Sequence, residues 1–264
     1  MKNYSLVLSG GGALGFAHIG VLEFLEGKKL FPKEIIGTSM GSIIGTAFAC
    51  GFTTKEIEKI VFDFHIKNIR NLNIGKLSLL SPKKTRKFLL EIFGEKSFKD
   101  CKIDLKIIST KLRSNETVCF SKDNDILLVD AILASCAIPW ALPPIKIKNE
   151  LYIDGYFSSN LAVEFSSNSN VLAIDVLSKK VISDLDIKQA SVFSQIKNIF
   201  KIYERSIFNQ NKKLNRLKID LLKDKKIILI EPDIKNFSSF DFKNNINELI
   251  QIGKKEIENN KDFI

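Results

Sequence analysis

Three groups of residues have the types and spacing that chemistry needs. Ser39 stands in Gly37-Thr38-Ser39-Met40-Gly41, after the apolar pair Ile35-Ile36 and before small and apolar residues at helical spacing. This is the pattern of a strand-to-helix turn that exposes a serine hydroxyl as a nucleophile. Gly37 and Gly41 suit such a turn, because the backbone is strained there and neighbouring chain passes close. The helix beginning at the serine also aims its positive end at the place where an oxyanion would form. The same five residues can also be a plain glycine-rich turn, so the serine needs partners. Gly10-Gly11-Gly12, closed by Gly15, follow an apolar run at 4–9 and open a helical segment at 16–25. Free backbone N–H groups at such a loop receive an anion, and beside a nucleophilic serine that anion is the oxygen of a tetrahedral intermediate.

A serine hydroxyl is a poor nucleophile until a neighbour takes its proton. The usual base, histidine, is scarce: the chain has only His18 and His65. His18 falls inside the first helix, where a packing role is expected, and no histidine follows His65 to complete the serine–acid–histidine order. A carboxylate can serve directly. Asp154 ends the apolar run 151–153 and is followed by Gly155, which lets the chain turn closely past it. The competing reading is an ordinary Asp-Gly turn. Asp104, Asp130 and Asp175 are rival carboxylates without a glycine neighbour at a strand end. The glycine loop also satisfies Gly-x-Gly-x-x-Gly, but a dinucleotide site wants an acid at the end of the second strand. Here that strand ends in the serine turn, and Glu34 precedes it.

Positioning these groups requires a series of alternating elements. Strands are expected at 4–9, 35–36, 103–109, 117–120, 145–147, 151–153, 171–177 and 227–231. Helices are expected at 16–25, across 52–95 with a loop near 71–76, from 130 until Ile138-Pro139 stops it, along 191–222 as one helix or two, and at 246–257. The segment 191–222 is amphipathic, with Val192, Ile196, Ile199, Phe200, Tyr203, Ile207 and Phe208 along one side and lysines on the other. Its expected role is to lay the apolar side on the core; the alternative is a lysine-rich face on anionic membrane. Strands alternating with helices argue for an α/β fold with a mostly parallel sheet covered on both faces. No linker or repeat divides the chain, so residues 1–264 are read as one domain.

Bulk properties narrow the function classes. The 45% hydrophobic content supports a sizeable core, and no apolar run approaches the roughly 20 residues of a membrane span. Four scattered cysteines without Cys-x-x-Cys spacing argue against a structural metal or a disulfide framework. The expected location is a reduced cytoplasm, with a peripheral place at the inner membrane face as the alternative. The net charge of +10 is spread along the chain, which reads as compositional bias rather than a nucleic-acid patch.

Taken together, SGGGALGFAHIG (9–20), GTSMGS (37–42), ASCAIPW (134–140) and YIDGYFSSNL (152–161) resemble the bacterial patatin-like phospholipases. The likeness is densest over about 5–167 and fainter over 168–264. It implies a three-layer α/β/α fold, hydrolysis of lipid acyl esters, and no metal or cofactor. It further implies Ser39 as nucleophile, Asp154 as general base, and the backbone of Gly10, Gly11 and Gly12 as the oxyanion hole. Two positions depart from the family pattern. Leu14 stands where the family usually has a cation, which would weaken recognition of an anionic head group or tilt the site towards neutral esters. Tyr156 follows the Asp-Gly where a small residue is usual, which would narrow the site. The main rival reading is a binding protein of the same fold that holds acyl lipid or a regulatory partner without turning it over.

Overall fold

The computed structural model describes residues 3–69, 80–139, 141–177, 179, 192–234, 237, 239 and 244–263. The side chains at 65–69, 192–201, 203 and 204 lie outside that description. The expected loop at 71–76, Trp140 of the 134–140 stretch, and the apolar side chains expected at 192–200 and 203 therefore lie outside the described residues.

Eight strands form one sheet in the order β5-β6-β3-β2-β1-β7-β8, with β4 also on β3. They are β1 (Tyr4–Leu8), β2 (Glu34–Thr38), β3 (Asp104–Lys111), β4 (Thr117–Phe120), β5 (Ile145–Ile147), β6 (Glu150–Asp154), β7 (Asn170–Ile174) and β8 (Lys226–Ile230). The run β3-β2-β1-β7-β8 is parallel, and β4, β5 and β6 are antiparallel. Every residue of β1 and β2 is buried, as parallel strands covered on both faces require. The helices are α1 (Phe16–Gly27), α2 (Met40–Cys50), α3 (Thr54–Ile69), α4 (Pro82–Phe93), α5 (Leu128–Ser135), α6 (Val192–Leu221) and α7 (Ile246–Glu258).

Period-two alternation divides the strands between two apolar layers. Leu6, Leu8, Ile35, Ile107 and Ile174 join the larger core with side chains of α1, α2, α5 and α7. Val7, Ile36, Ile108 and Ala173 face the other way, onto Leu161–Val163 and onto Ile219 of α6. The sheet is thus covered on both faces. α6 is a single 30-residue helix that buries Phe208, Asn211 and Asn215 and leaves Ile207 half-buried. Leu214, Leu217 and Leu221 stay exposed, so its apolar residues do not all face the core.

The ladder register explains how distant motifs converge. β2 pairs with residues 104–108 of β3, β4 with 107–110, and β6 with 109–111. A strand has two hydrogen-bonding edges. β4 overlaps both of the others, so β2 and β6 must share the opposite edge of β3. They run head to head along it, with Ile108 opposite Thr38 and Ser109 opposite Asp154. The residue after β2 and the last residue of β6 therefore meet.

Candidate active site

Ser39 occupies the turn between β2 and α2 with φ 52° and ψ −123°. A side chain rarely adopts that conformation, and such residues cost on the order of 1–3 kcal/mol unless their surroundings hold them. Those surroundings are visible. The Ser39 N–H donates to Ser135 Oγ at 2.8 Å, and its carbonyl accepts from Ser42 N at 2.8 Å and Ser42 Oγ at 2.6 Å. A Cβ at Gly41 would run into the Leu8 carbonyl, so only glycine lets the elbow press against the end of β1. Gly37 packs on Gly41 and Ser42, and Gly15 packs on Met40, so the glycine loop and the elbow touch.

The Ser39 hydroxyl donates to Asp154 Oδ2 at 2.7 Å across 115 sequence positions. Asp154 Oδ1 accepts the Tyr156 N–H at 2.9 Å, and the Asp154 N–H donates to the Ala137 carbonyl at 3.0 Å. At Gly155 a Cβ would sit 2.5 Å from the Ile108 carbonyl, which accounts for the glycine after the aspartate. Ser39 is half-buried, whereas Asp154 is 1% exposed. Burial pushes the Asp154 carboxyl up to about 7, against the opposing pull of the Tyr156 N–H and Ser39 O–H. An ionised Asp154 is consequently a far stronger proton acceptor than an exposed aspartate.

The glycine loop lies beside the serine: a Cβ on Gly10 would be 2.9 Å from Ser39 Cβ. The three expected amide donors are not equivalent. Gly10 N–H already donates to Asn160 Oδ1 at 2.9 Å, and Ala13 N–H donates to the Ser239 carbonyl at 2.8 Å. Among the described residues no partner is recorded for the Gly11 and Gly12 amides.

The two positions that depart from the family pattern both pack on the core. Leu14 is fully buried in the main core. Tyr156 serves Asp154 through its backbone N–H, while its ring packs edge-on to Phe157 at 5.8 Å and against the core. His18 Nε2–H donates to the Ser9 carbonyl at 2.9 Å, and burial holds the imidazole neutral by lowering it to about 4. Its role is to anchor the entry of the glycine loop. His65 lies on α3, with its side chain outside the described residues. The rival carboxylates are engaged elsewhere: Asp104 with Lys122, Asp130 with Arg86, and Asp175 with Asn215 and the Leu177 N–H. Glu34 is buried at the far end of β2 with Lys106, Ser5 and the Ser167 N–H, remote from any ribose position.

Two residues of the site escaped the sequence reading. Ser135 caps the nucleophile's amide, and Asn160 ties the aspartate-bearing loop to the glycine loop. Both fall inside stretches that carried the resemblance, but nothing in their spacing reveals a partner more than 90 positions away. Among the described residues no three His, Cys, Asp or Glu side chains gather as a metal site.

A mostly parallel sheet with an elbow serine, a buried aspartate and a glycine loop at one end defines an α/β scaffold with a candidate site at that end. Residues 6–165 match the family described as patatin-like phospholipase, and the chain belongs to that family. It is 30% identical over 169 residues to the uncharacterized protein R571 of Acanthamoeba polyphaga mimivirus, covering 57% of each chain. It is 28% identical over 182 residues to lysophospholipase NTE1 of Meyerozyma guilliermondii, covering 65% of this chain and 12% of that protein. The chain thus spans well under two thirds of either relative. In fold it is similar to VipD from Legionella pneumophila, with a TM-score of 0.58 at 13% identity, covering 98% of this chain and 66% of that one.

Proposed function

We propose that the chain is a serine acyl hydrolase acting on lipid acyl esters, with Ser39 as nucleophile and Asp154 as its sole base. The observation that carries this reading is the 2.7 Å hydrogen bond from Ser39 Oγ to the buried Asp154 carboxylate. Family membership and the lysophospholipase named among the relatives support lipid esters as the substrate class.

In this reading Asp154 Oδ2 takes the Ser39 proton as Oγ attacks the ester carbonyl. The developing oxyanion is received by the Gly11 and Gly12 amides, helped by the N-terminus of α2. The alcohol leaves with the proton from Asp154, and water activated by the same carboxylate releases the acid from Ser39. Gly10 acts indirectly, its amide fixing the loop through Asn160. No cofactor takes part.

The test is hydrolysis of short and long acyl esters and of phospholipids by the purified chain, with fluorophosphonate labelling of the active serine. Turnover and a single label at Ser39, both absent in Ser39→Ala, are expected. Bound acyl lipid without turnover or labelling would favour the binding-protein reading instead.

A further inference from the structure

Among the described residues, two cysteine thiols lie in contact away from the site. Cys50 is the last residue of α2, and Cys101 lies in the short stretch leading into β3. Their sulfurs are 4.0 Å apart. The two segments are held side by side, because Lys102 N–H donates to the Ala49 carbonyl at 2.8 Å. The turn before Cys101 is itself fixed, with Asp100 accepting from both the N–H and the hydroxyl of Ser97. Both cysteines are half-buried rather than enclosed in the core.

The surroundings of the two sulfurs differ. The Cys101 S–H beside it draws the Cys50 thiol below its usual range; burial and Asp100 oppose this, and Lys96 and Lys102 assist. The Cys101 thiol is pushed up by the same contact and by burial. Cys119 is raised by burial to about 11, and Cys136 is also raised by burial and sits against Ser42 rather than another thiol. Cys50 is therefore the attacking thiol and Cys101 the resolving one.

We propose that Cys50 and Cys101 form a redox-active dithiol that closes reversibly to an intramolecular disulfide by exchange with a low-molecular-weight disulfide such as oxidised glutathione. The Cys50 thiolate attacks one sulfur of the reagent, whose other sulfur leaves as a thiolate and takes up a proton. Cys101 then loses its proton and attacks the Cys50 sulfur of the mixed disulfide, expelling the second reagent thiolate. Two S–H bonds and the reagent's S–S bond break, and one protein S–S bond and two reagent S–H bonds form. The protein loses two electrons and two protons, and the reagent gains them. Closure requires the sulfurs to approach by about 2 Å, within reach of side-chain rotation and small backbone adjustment.

The new bond would fasten the C-terminal end of α2 to the start of β3 and close a ring containing α3 and α4. It lies about 16 Å along the helix from Ser39, at roughly 1.5 Å per residue. Its expected consequence is a higher melting temperature with little change in turnover.

The experiment equilibrates the full chain with mixtures of reduced and oxidised glutathione and counts thiols after denaturation. The four thiols should fall to two, with peptide mapping joining Cys50 to Cys101 and reduction restoring all four. The melting temperature of the oxidised form should rise by several degrees. Cys101→Ser should instead accumulate a glutathione adduct at Cys50, and Cys50→Ser should form neither adduct nor disulfide. Four thiols persisting in the wild-type chain under oxidised glutathione would overturn the proposal, as would a crosslink through Cys119 or Cys136. The wild-type measurements decide the matter even where a variant folds poorly, and they do not depend on the hydrolase reading.

Discussion

Asp154 is both the most consequential and the most costly residue of the site. Its carboxyl rises from 3.8 to about 7 on folding, so the folded chain holds that proton more tightly than the unfolded one. The burden of burying the carboxylate therefore grows as pH climbs from about 4 to about 7 and is complete above that. Asp154→Asn removes it. At pH 8 the variant should be more stable than wild type by about 1–4 kcal/mol, while the difference disappears near pH 4. Melting curves across that range check this; a variant less stable than wild type at pH 8 would contradict it. For the rate the sign is opposite, because the base must be ionised. In wild type kcat/KM should rise with pH and level off above about 7. Since a free histidine would titrate near the same pH, substitutions discriminate better than the profile. Asn160 offers a second test. Asn160→Leu frees the Gly10 amide that Asn160 Oδ1 now holds, and should lower kcat about 10- to 100-fold with KM little changed. Wild-type kcat in that variant would show that the tie does not position the loop.

At the scale of elements, the parts nearest the motifs were the most legible. The strand–loop–helix units around Gly10 and Ser39 stand out because apolar runs and glycine turns are local signals, and β1, β2, α1 and α2 lie within a few residues of expectation. Glu34 proved part of β2 rather than its preface, and α5 runs from Leu128, two residues before the expected start. Asp154 stood out in sequence as a candidate base beside the reading of an ordinary Asp-Gly turn, but its meeting with Ser39 depends on β2 and β6 sharing one edge of β3, which no local signal reveals. The burial of Leu14 was not legible, because burial is a property of the tertiary core, not of the loop's composition. The junction of α1 with α7 was likewise invisible in sequence. A Cβ on Gly20 would meet the Ile250 backbone, and one on Gly253 would meet that of Ala17, so the two helices cross backbone to backbone. Gly253→Val should force them apart and lower stability by about 2 kcal/mol or more, with α1 and its glycine loop disturbed. An unchanged melting temperature would mean that α7 can shift freely. His18, in the same helix, should cost stability as pH falls from about 6.5 towards 4, because its folded value is depressed to about 4. That extra acid sensitivity should be absent from His18→Asn, which should keep most of its hydrolytic rate.

The molecule as a whole carries a net charge of +10, and its longest helix presents Leu214, Leu217 and Leu221 to solvent beside Lys212 and Lys213. No helix among the described residues is long and apolar enough to cross a membrane. An exposed apolar stripe next to lysines instead suits shallow contact with an anionic lipid surface. Co-sedimentation with anionic vesicles should be appreciable at low salt and fall near 0.15 M, where the Debye length is about 8 Å. Leu217→Glu and Leu221→Glu together should weaken it at every salt concentration, and binding indifferent to both salt and these changes would rule the contact out. The central claim is narrower. Two stretches 115 positions apart are held to form a single catalytic unit without histidine. The most direct measurement is the rate at which a fluorophosphonate modifies Ser39 in wild type and in Asp154→Asn at pH 8. The account predicts a loss of at least about a thousandfold in a variant that stays folded. Labelling of Asp154→Asn at the wild-type rate would contradict it.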